Sequence, residues 1–322
     1  MSHKIDFSRM FKGIPDKWGS NLCKKIGNPP ELKSRHSFCL WSDLLGFGNI
    51  YSENNWKLSK KQKREVYDRL LAAHSSVLYY SQPNEKNLIL NDGIAKVYMP
   101  DDSVFGTREI STIALYFRSC IELHIKINQI ELANGYPGCR SVIAFGDCIE
   151  YLAEEVKFDD YVMNYTKPEG HEISSIAESI GNPTLIYNPK ELQMNTAFSK
   201  AYIIEGGKFE KIEKGCPKNF LYIDQSAIDA VIRYGERKGY THVWQEQENE
   251  LRLLIPYNKD NLNKVVIGFA FDKKILPSPE GCKYKTKVYK LLKLFPFDEP
   301  VDEFCYDLRE NLMVEHTESV DI

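Results

Sequence analysis

The sequence predicts an α+β fold in which a mixed β-sheet is flanked by helices and followed by a C-terminal extension. Segments of β-prone residues alternate with segments of helical apolar spacing, and an Asn-Asp-Gly turn at 91–93 joins two β-prone runs. The chain has 322 residues, of which 43% are hydrophobic, so it can bury a substantial core. Its net charge of −3 gives no electrostatic reason to expect a nucleic-acid partner.

The sequence pattern divides the chain into three parts. Residues 1–30 are polar and rich in proline, and we predict an N-terminal arm there. Residues 31–275 are predicted to form the main domain, and 276–322 a C-terminal helix with an acidic tail. No apolar run approaches the ~20 residues that span a bilayer, and the N-terminus lacks a signal-peptide pattern. We therefore expect a soluble, cytoplasmic protein without a membrane partner.

The first half of the chain predicts the order strand, helix, hairpin, helix, strand. These elements are expected at 36–43, 59–80, 87–99, 107–134 and 139–146. Both helices carry one apolar stripe, and the second ends in the breaker-rich segment 134–138. Residues 44–50 begin a short helix or remain a loop, because Gly46 and Gly48 disfavour regular helix.

The second half predicts further helices and strands. A helix is expected at 189–207, with proline at its start and Gly-Gly at its end. A strand near 220–223 and a helix near 226–238 follow, and then strands near 242–244, 251–256 and 265–271. The lysines of Lys285–Leu294 predict a basic amphipathic helix.

Two acids stand where strands end. Asp43 closes the apolar run that starts at His36 and leads into a glycine-punctuated turn, and Asp92 lies in the Asn-Asp-Gly turn 49 residues later. Two carboxylates from adjacent strand positions can hold two divalent cations, Mg²⁺ or Mn²⁺, over a triphosphate. The alternative is structural: Asp43 would cap the next turn, and Asp92 would be an ordinary turn acid.

These motifs resemble the class III nucleotidyl cyclases. LWSDLLGFG around Asp43 and LILNDGIAKVY around Asp92 are similar to the two metal-binding segments of that family, although Asn91 replaces a glycine. CRSVIAFGD (139–147) resembles the family's arginine-led strand. The segment containing Asn195 resembles the helix whose asparagine reaches the ribose and phosphates across a dimer interface.

The resemblance implies roles for individual residues. It implies that Asp43, Asp92 and the Leu44 carbonyl bind metal, and that a homodimer shares its active sites. The backbone N–H groups of Leu45, Gly46, Phe47 and Gly48 would cradle the triphosphate. Asn195, Arg140 and Lys200 would contact the substrate, and Lys96 is a further candidate for countering phosphate charge. The expected partners are a nucleoside triphosphate and the second subunit.

Departures from the family pattern favour a pyrimidine substrate. Leu88 stands where a purine-reading residue is expected and cannot hydrogen-bond a base, and Asn188 occupies the second such position. Ser199 replaces the family's arginine, and Lys200 follows it. The chain looks most like the cytidylate and uridylate cyclases of bacterial anti-phage (Pycsar) signalling. That likeness implies that CTP or UTP is converted to a cyclic monophosphate for a separate effector.

Two other interpretations compete with this one. The chain could be another two-metal palm enzyme with a purine substrate, although no Gly-Gly-Asp/Glu-Glu-Phe turn occurs. It could also be a degenerate cyclase-fold module that binds a nucleotide without catalysis. A P-loop NTPase is disfavoured because the sequence contains no Gly-x4-Gly-Lys-Ser/Thr motif.

Overall fold

The computed structural model describes residues 33–100, 109–150, 194–207, 219–297, 299–301, 303–310 and 312–315. The chain divides into two compact units. One consists of His36–Asp147 and Asn195–Ile322; the other, Met1–Arg35 and Cys148–Met194, lies mostly outside the described residues. The predicted N-terminal arm also lies outside them.

A mixed β-sheet is the centre of the fold, which confirms the predicted α+β class. The strands are β1 (Lys33–Leu44), β2 (Glu85–Leu90), β3 (Gly93–Tyr98), β4 (Cys139–Glu150), β5 (Leu221–Asp224), β6 (Val243–Glu246), β7 (Leu251–Asn258), β8 (Asn261–Phe271), β9 (Leu276–Pro277), β10 (Lys287–Phe295), β11 (Phe304–Asp307) and β12 (Leu312–Glu315). The main path runs β2-β3-β1-β4-β5-β10-β8-β7-β6. β4 and β5 are parallel, whereas β1 and β3 are antiparallel.

Helices flank both faces of this sheet. They are α1 (Asn49–Ser52), α2 (Lys60–Tyr79), α3 (Glu109–Ala133), α4 (Thr196–Glu205) and α5 (Gln225–Arg237). Phe38 of β1 packs against Phe117 of α3, with ring centroids 5.6 Å apart. Trp41 points to the opposite face, because side chains alternate along a strand, and there it contacts Tyr202 of α4. The α4 helix therefore covers the face opposite to α3.

One element was predicted with the wrong secondary structure. Lys285–Leu294 was expected to be a helix, but residues 287–295 form β10, between β5 and β8. Its lysines, spaced by three residues, resemble the charged face of a helix. Lys290 is instead buried with its Nζ 3.8 Å from the centre of the Phe220 ring, and Lys293 pairs with Glu250. The predicted boundary at 275/276 thus separates strands of one sheet.

The helix predicted at 189–207 is shorter among the described residues. Residues 189–193 lie outside them, and α4 begins only at Thr196, where Asn195 is the N-cap. Met194 has a positive φ of 49°, which a continuing helix would not allow. The other predicted helices and strands agree with the described elements to within a few residues. Within the described part of the chain, none of the helices has the length and apolar character of a membrane span.

Candidate active site

The register of β1 and β3 brings the two predicted metal-binding acids together. Asp43 lies opposite Gly93 in the antiparallel ladder, so Asp92, the turn residue directly before Gly93, is close to it. The backbone N–H of Leu44 donates to the carbonyl of Asp92 over 3.3 Å, which closes the ladder at this end. Both carboxylates are partly exposed. The two predicted acids therefore lie near one another at this end of the sheet.

The turn after β1 provides backbone donors beside these acids. Gly46 adopts a positive φ of 66°, a conformation that glycine tolerates best. The N–H of Leu45 is occupied, because it donates to the Gly138 carbonyl over 2.9 Å, and the N–H of Phe47 donates weakly to the Leu44 carbonyl. Among the described residues, the N–H groups of Gly46 and Gly48 donate to no protein acceptor. These two amides can receive an anion.

The environment of Asp43 disfavours its charged form. Burial raises the pKa of Asp43 to about 7, and the negative charges of Glu205 and Asp92 act in the same direction. Arg140 and Arg69 act in the opposite sense and lower the pKa of this carboxyl. A cation bound between the acids would relieve this repulsion, because it would replace a like charge with an opposite one.

The oxygen atoms of the two acids and of the Leu44 carbonyl suit Mg²⁺ or Mn²⁺ as ligands. Mg²⁺ is commonly held by one or two carboxylates together with phosphate oxygens and water, and hard oxygen ligands also suit Mn²⁺. Asp43, Asp92 and the Leu44 carbonyl supply such oxygens. In the part of the chain that the structure describes, no cluster of three or more His, Cys, Asp or Glu side chains is arranged to hold a metal. A cation at Asp43 and Asp92 would therefore need further oxygen ligands from the backbone, the phosphates or water.

Glu205, the last residue of α4, is a site residue that the sequence analysis missed. Its carboxylate accepts from Arg140 Nε over 3.0 Å, and its carbonyl accepts from the same guanidinium over 2.8 Å. Burial raises the pKa of Glu205, while the charge of Arg140 lowers it. A negative charge at a helix C-terminus interacts unfavourably with the helix dipole. In the sequence, the position of Glu205 at the end of a predicted helix was therefore the available sign that this acid has a positively charged partner. The predicted phosphate contact of Arg140 stays a prediction.

Lys96 was predicted as a candidate phosphate contact, and the structure contradicts this. Side chains alternate along β3, so Lys96 points to the α3 face, away from Asp43. It is fully buried, pairs with Glu85 and donates to the Tyr80 carbonyl over 2.6 Å. The lysine is therefore part of a buried ion pair.

Of the two predicted α4 residues, Asn195 lies far from Asp43 within one chain. Asn195 is 1% exposed, and its Oδ1 accepts hydrogen bonds from the Phe198 N–H and the Ser37 hydroxyl. Ser37 precedes Asp43 by six strand residues, which corresponds to roughly 20 Å. Lys200 donates from Nζ to the Phe145 carbonyl over 2.9 Å. Their predicted contacts with substrate stay predictions.

Of the two predicted base-reading positions, Asn188 lies outside the described residues. Leu88 of β2 pairs with Ala95, which in turn pairs with Trp41, so Leu88 lies on the same sheet face as Asp43. An apolar side chain therefore occupies this position beside the site.

Arg69 of α2 is a second residue that the sequence analysis missed. It donates from Nη2 to the Leu45 carbonyl over 3.0 Å and pairs with Glu131 of α3. Its sequence signal was its place between Val66 and Ala73, which are both on the buried stripe of α2. A charge at that position indicates a buried partner.

Comparisons with known proteins give distant likenesses. No family model matches the chain, and no curated protein matches its sequence. The adenylyl cyclase CyaB from P. aeruginosa aligns at 12% identity over 81% of this chain and 96% of that chain, with a TM-score of 0.37. The guanylyl cyclase Cya2 aligns at 11% identity over 81% and 93%, with a TM-score of 0.39.

A third solved structure is similar to the same degree. It is the non-canonical dimeric guanylyl cyclase domain of the RhoGC fusion protein from the aquatic fungus Blastocladiella emersonii. The alignment has 11% identity over 82% of this chain and 98% of that chain, with a TM-score of 0.34. At these scores the likenesses carry no argument about activity, which is inferred below from the site residues.

Proposed function

We propose that this chain is a nucleotidyl cyclase, a lyase that converts a nucleoside triphosphate to its 3′,5′-cyclic monophosphate and pyrophosphate. The observation that carries the proposal is the proximity of Asp43, at the end of β1, to Asp92, in the turn before β3, beside the amides of Gly46 and Gly48. The acids supply oxygen ligands for cations, and the amides supply donors for phosphate oxygens. The resemblance of both segments to class III cyclases also supports it.

In this reaction, the ribose 3′-oxygen bonds to the α-phosphorus, the bond from that phosphorus to the α,β-bridging oxygen breaks to release pyrophosphate, and the hydroxyl proton passes to water. Divalent cations, when bound, would polarise the hydroxyl and neutralise phosphate charge. Asp43 and Asp92 would hold them, and the Gly46 and Gly48 amides would orient the β- and γ-phosphates of the leaving group. Held in this way, the substrate would have its attacking oxygen positioned for displacement of the leaving pyrophosphate.

We propose CTP or UTP as the substrate. Leu88 supports this choice, because its side chain lies on the site face and offers no hydrogen bond to a purine edge. The product, cyclic CMP or cyclic UMP, would act in the cytoplasm on a separate effector protein, as the likeness to anti-phage pyrimidine cyclases suggests. The choice between the two bases rests on no single residue.

Product analysis tests this function. The purified protein is incubated with Mn²⁺ and each of ATP, GTP, CTP and UTP, and the products are identified by mass. We expect one cyclic pyrimidine monophosphate together with pyrophosphate. A cyclic purine would contradict the substrate assignment and leave the reaction in place. A nucleotide that is bound but not converted would favour the non-catalytic binding module, in which Glu205 holds Arg140 away from phosphate.

We further propose that two copies of the chain share each site. Asn195 contacts Ser37, roughly 20 Å along β1 from Asp43, and Lys200 is bound to the Phe145 carbonyl of its own chain. Asn195 could reach a nucleotide only if that nucleotide is bound at Asp43 of another subunit, and the resemblance implies the same for Lys200. The proposed assembly is a homodimer with two equivalent shared sites.

Mixing two inactive variants tests the shared site. Asp43→Asn removes a metal ligand, and Lys200→Met removes the α4 amine while keeping most of the side-chain volume. Each variant alone is expected to be inactive, and a mixture should regain part of the activity because one site of each heterodimer is intact. A heterodimer verified by two affinity tags that stays inactive would contradict the arrangement. Mixing Asp43→Asn with Asp92→Asn is the matched control and should restore nothing.

A further inference from the structure

Arg69 connects the two helices α2 and α3 to the glycine turn of the site. Its side chain is 7% exposed, and that of Glu131, its partner, is 4% exposed. Arg69 Nε lies 2.9 Å from each carboxylate oxygen of Glu131. The guanidinium also lies over the rings of Tyr136 and Phe47, at 4.3 and 5.4 Å from their centroids. These contacts fix the guanidinium in one orientation.

The Nη2 group of this guanidinium, which also bonds to Glu131, holds one peptide group of the turn. Arg69 Nη2 donates to the Leu45 carbonyl, and the N–H of Leu45 donates to the Gly138 carbonyl. The Leu45 carbonyl belongs to the same planar, trans peptide as the Gly46 N–H, and the two groups point in opposite directions. Orienting the carbonyl toward Arg69 therefore directs the Gly46 N–H away from Arg69.

This peptide would otherwise be free to rotate. Glycine at positive φ has a broad conformational range, and among the described residues the Gly46 N–H has no protein acceptor that could restrain it. A bond to a charged donor also polarises the peptide and strengthens the hydrogen bond that its N–H can give. Arg69 thus supplies both direction and polarisation to the Gly46 N–H, the donor that a bound phosphate could use.

We infer that Arg69 is a positioning residue that presents the Gly46 amide to the β- or γ-phosphate of the substrate. The inference rests on the proposed function for its ligand, and it assigns Arg69 no contact with substrate. It predicts that a change at Arg69 weakens binding of the polyphosphate part of the nucleotide, whichever base the enzyme uses.

Arg69→Lys tests this role without leaving Glu131 unpaired. Lysine retains the charge for Glu131 but lacks the planar fork that reaches two partners at once. Affinity for pyrophosphate in the presence of Mn²⁺, measured by calorimetry, is expected to fall roughly tenfold, the effect of losing one charge-assisted hydrogen bond. Arg118→Lys on α3, where the arginine pairs with Glu122 in a half-exposed position, is the matched control and should bind as the wild type does.

A second measurement tests the orientation of the peptide without any ligand. In protein labelled with ¹⁵N-glycine, the Gly46 amide signal should shift in Arg69→Lys and not in Arg118→Lys. The double variant Arg69→Met/Glu131→Gln removes both buried charges together, so it avoids an unpaired acid, and it should show the same shift and loss of affinity.

The outcomes distinguish this inference from the proposed function. If Arg69→Lys binds pyrophosphate as tightly as the wild type, the positioning role is wrong, even if the enzyme turns over nucleotide. If the wild type itself binds no pyrophosphate, the proposed function fails, and the Gly46 signal decides the positioning role: a shift supports it and an unchanged signal overturns it.

Discussion

Asp43→Asn is expected to abolish nucleotide turnover and, at the same time, to stabilise the metal-free protein. Activity should fall by at least about 1,000-fold, because bound cations contribute several kcal/mol to stabilising the transition state and asparagine is a poorer ligand for a hard cation. Stability should rise because the site holds the charged form of Asp43 at a cost. Burial, Glu205 and Asp92 together raise the pKa of this carboxyl to about 7.

The sign of the pH dependence follows from this pKa. The ordinary pKa of an aspartate carboxyl is 3.8, so between about pH 4 and pH 7 the folded state keeps a proton that the unfolded chain has lost. Stability of the wild type therefore falls as the pH rises through this window and is constant above it. Asp43→Asn lacks this loss, so its advantage should grow from pH 5 to pH 8 and reach about 1–3 kcal/mol, allowing for the partial exposure of the side chain.

Urea denaturation with a chelator at pH 5 and pH 8 measures this difference. Asp260→Asn, an exposed acid in the turn between β7 and β8, removes the same charge away from the site and should show no such trend. An Asp43→Asn protein that is less stable than the wild type at pH 8 would contradict the electrostatic description. Retained turnover in the same variant would contradict the metal assignment.

Gly93→Ala is expected to damage both stability and activity, although it adds one methyl group. An alanine Cβ at this position would lie less than 3.0 Å from Cη2 of Trp41, well inside contact distance. Trp41 cannot easily move, because it is 5% exposed and packs against Phe198 and Tyr202. Overpacking of this kind costs about 1–3 kcal/mol. Gly93 lies opposite Asp43 and next to Asp92, so a displacement of its backbone should move the two acids apart.

The measurements are thermal unfolding and turnover with Mn²⁺, and Gly48→Ala provides the control for unfolding. A methyl group added at Gly48 would meet no atom within 4 Å, and the φ of this residue is not positive, so its replacement should leave thermal stability near that of the wild type. If Gly93→Ala keeps wild-type turnover, then the spacing of Asp43 and Asp92 tolerates displacement and the close packing beneath Gly93 is not required.

The local parts of the site could be predicted from the sequence. An apolar run ending in Asp43, and an Asn-Asp-Gly turn carrying Asp92, are short-range signals that need no knowledge of distant contacts. The structure places both where the pattern indicated. The same pattern gave no role to Arg69 or Glu205, because their partners lie 62 and 65 residues away in the chain.

The wrong predictions also come from contacts between distant parts of the chain. The spacing of Lys290 and its neighbouring lysines is typical of the charged face of a helix, and only the contact of Lys290 with Phe220 in the folded sheet shows that it belongs to a buried strand. Lys96 lies one strand away from Asp43, and strand alternation turns it to the other face, where Glu85 neutralises it. Asn195 was predicted within a helix but caps its start, because the turn of the chain at Met194 was not visible in the sequence pattern.

The position of β10 has a consequence for the order in which the protein can fold. This strand hydrogen-bonds to β5 on one side and β8 on the other, so the sheet stays in two halves until residues 287–295 have left the ribosome. Until then, both β5 and β8 are unpaired edges, which can join other chains and aggregate. The long-range pairing also predicts slow folding. A nascent chain therefore carries its candidate active site, on β1 and β3, well before the sheet that supports it is complete.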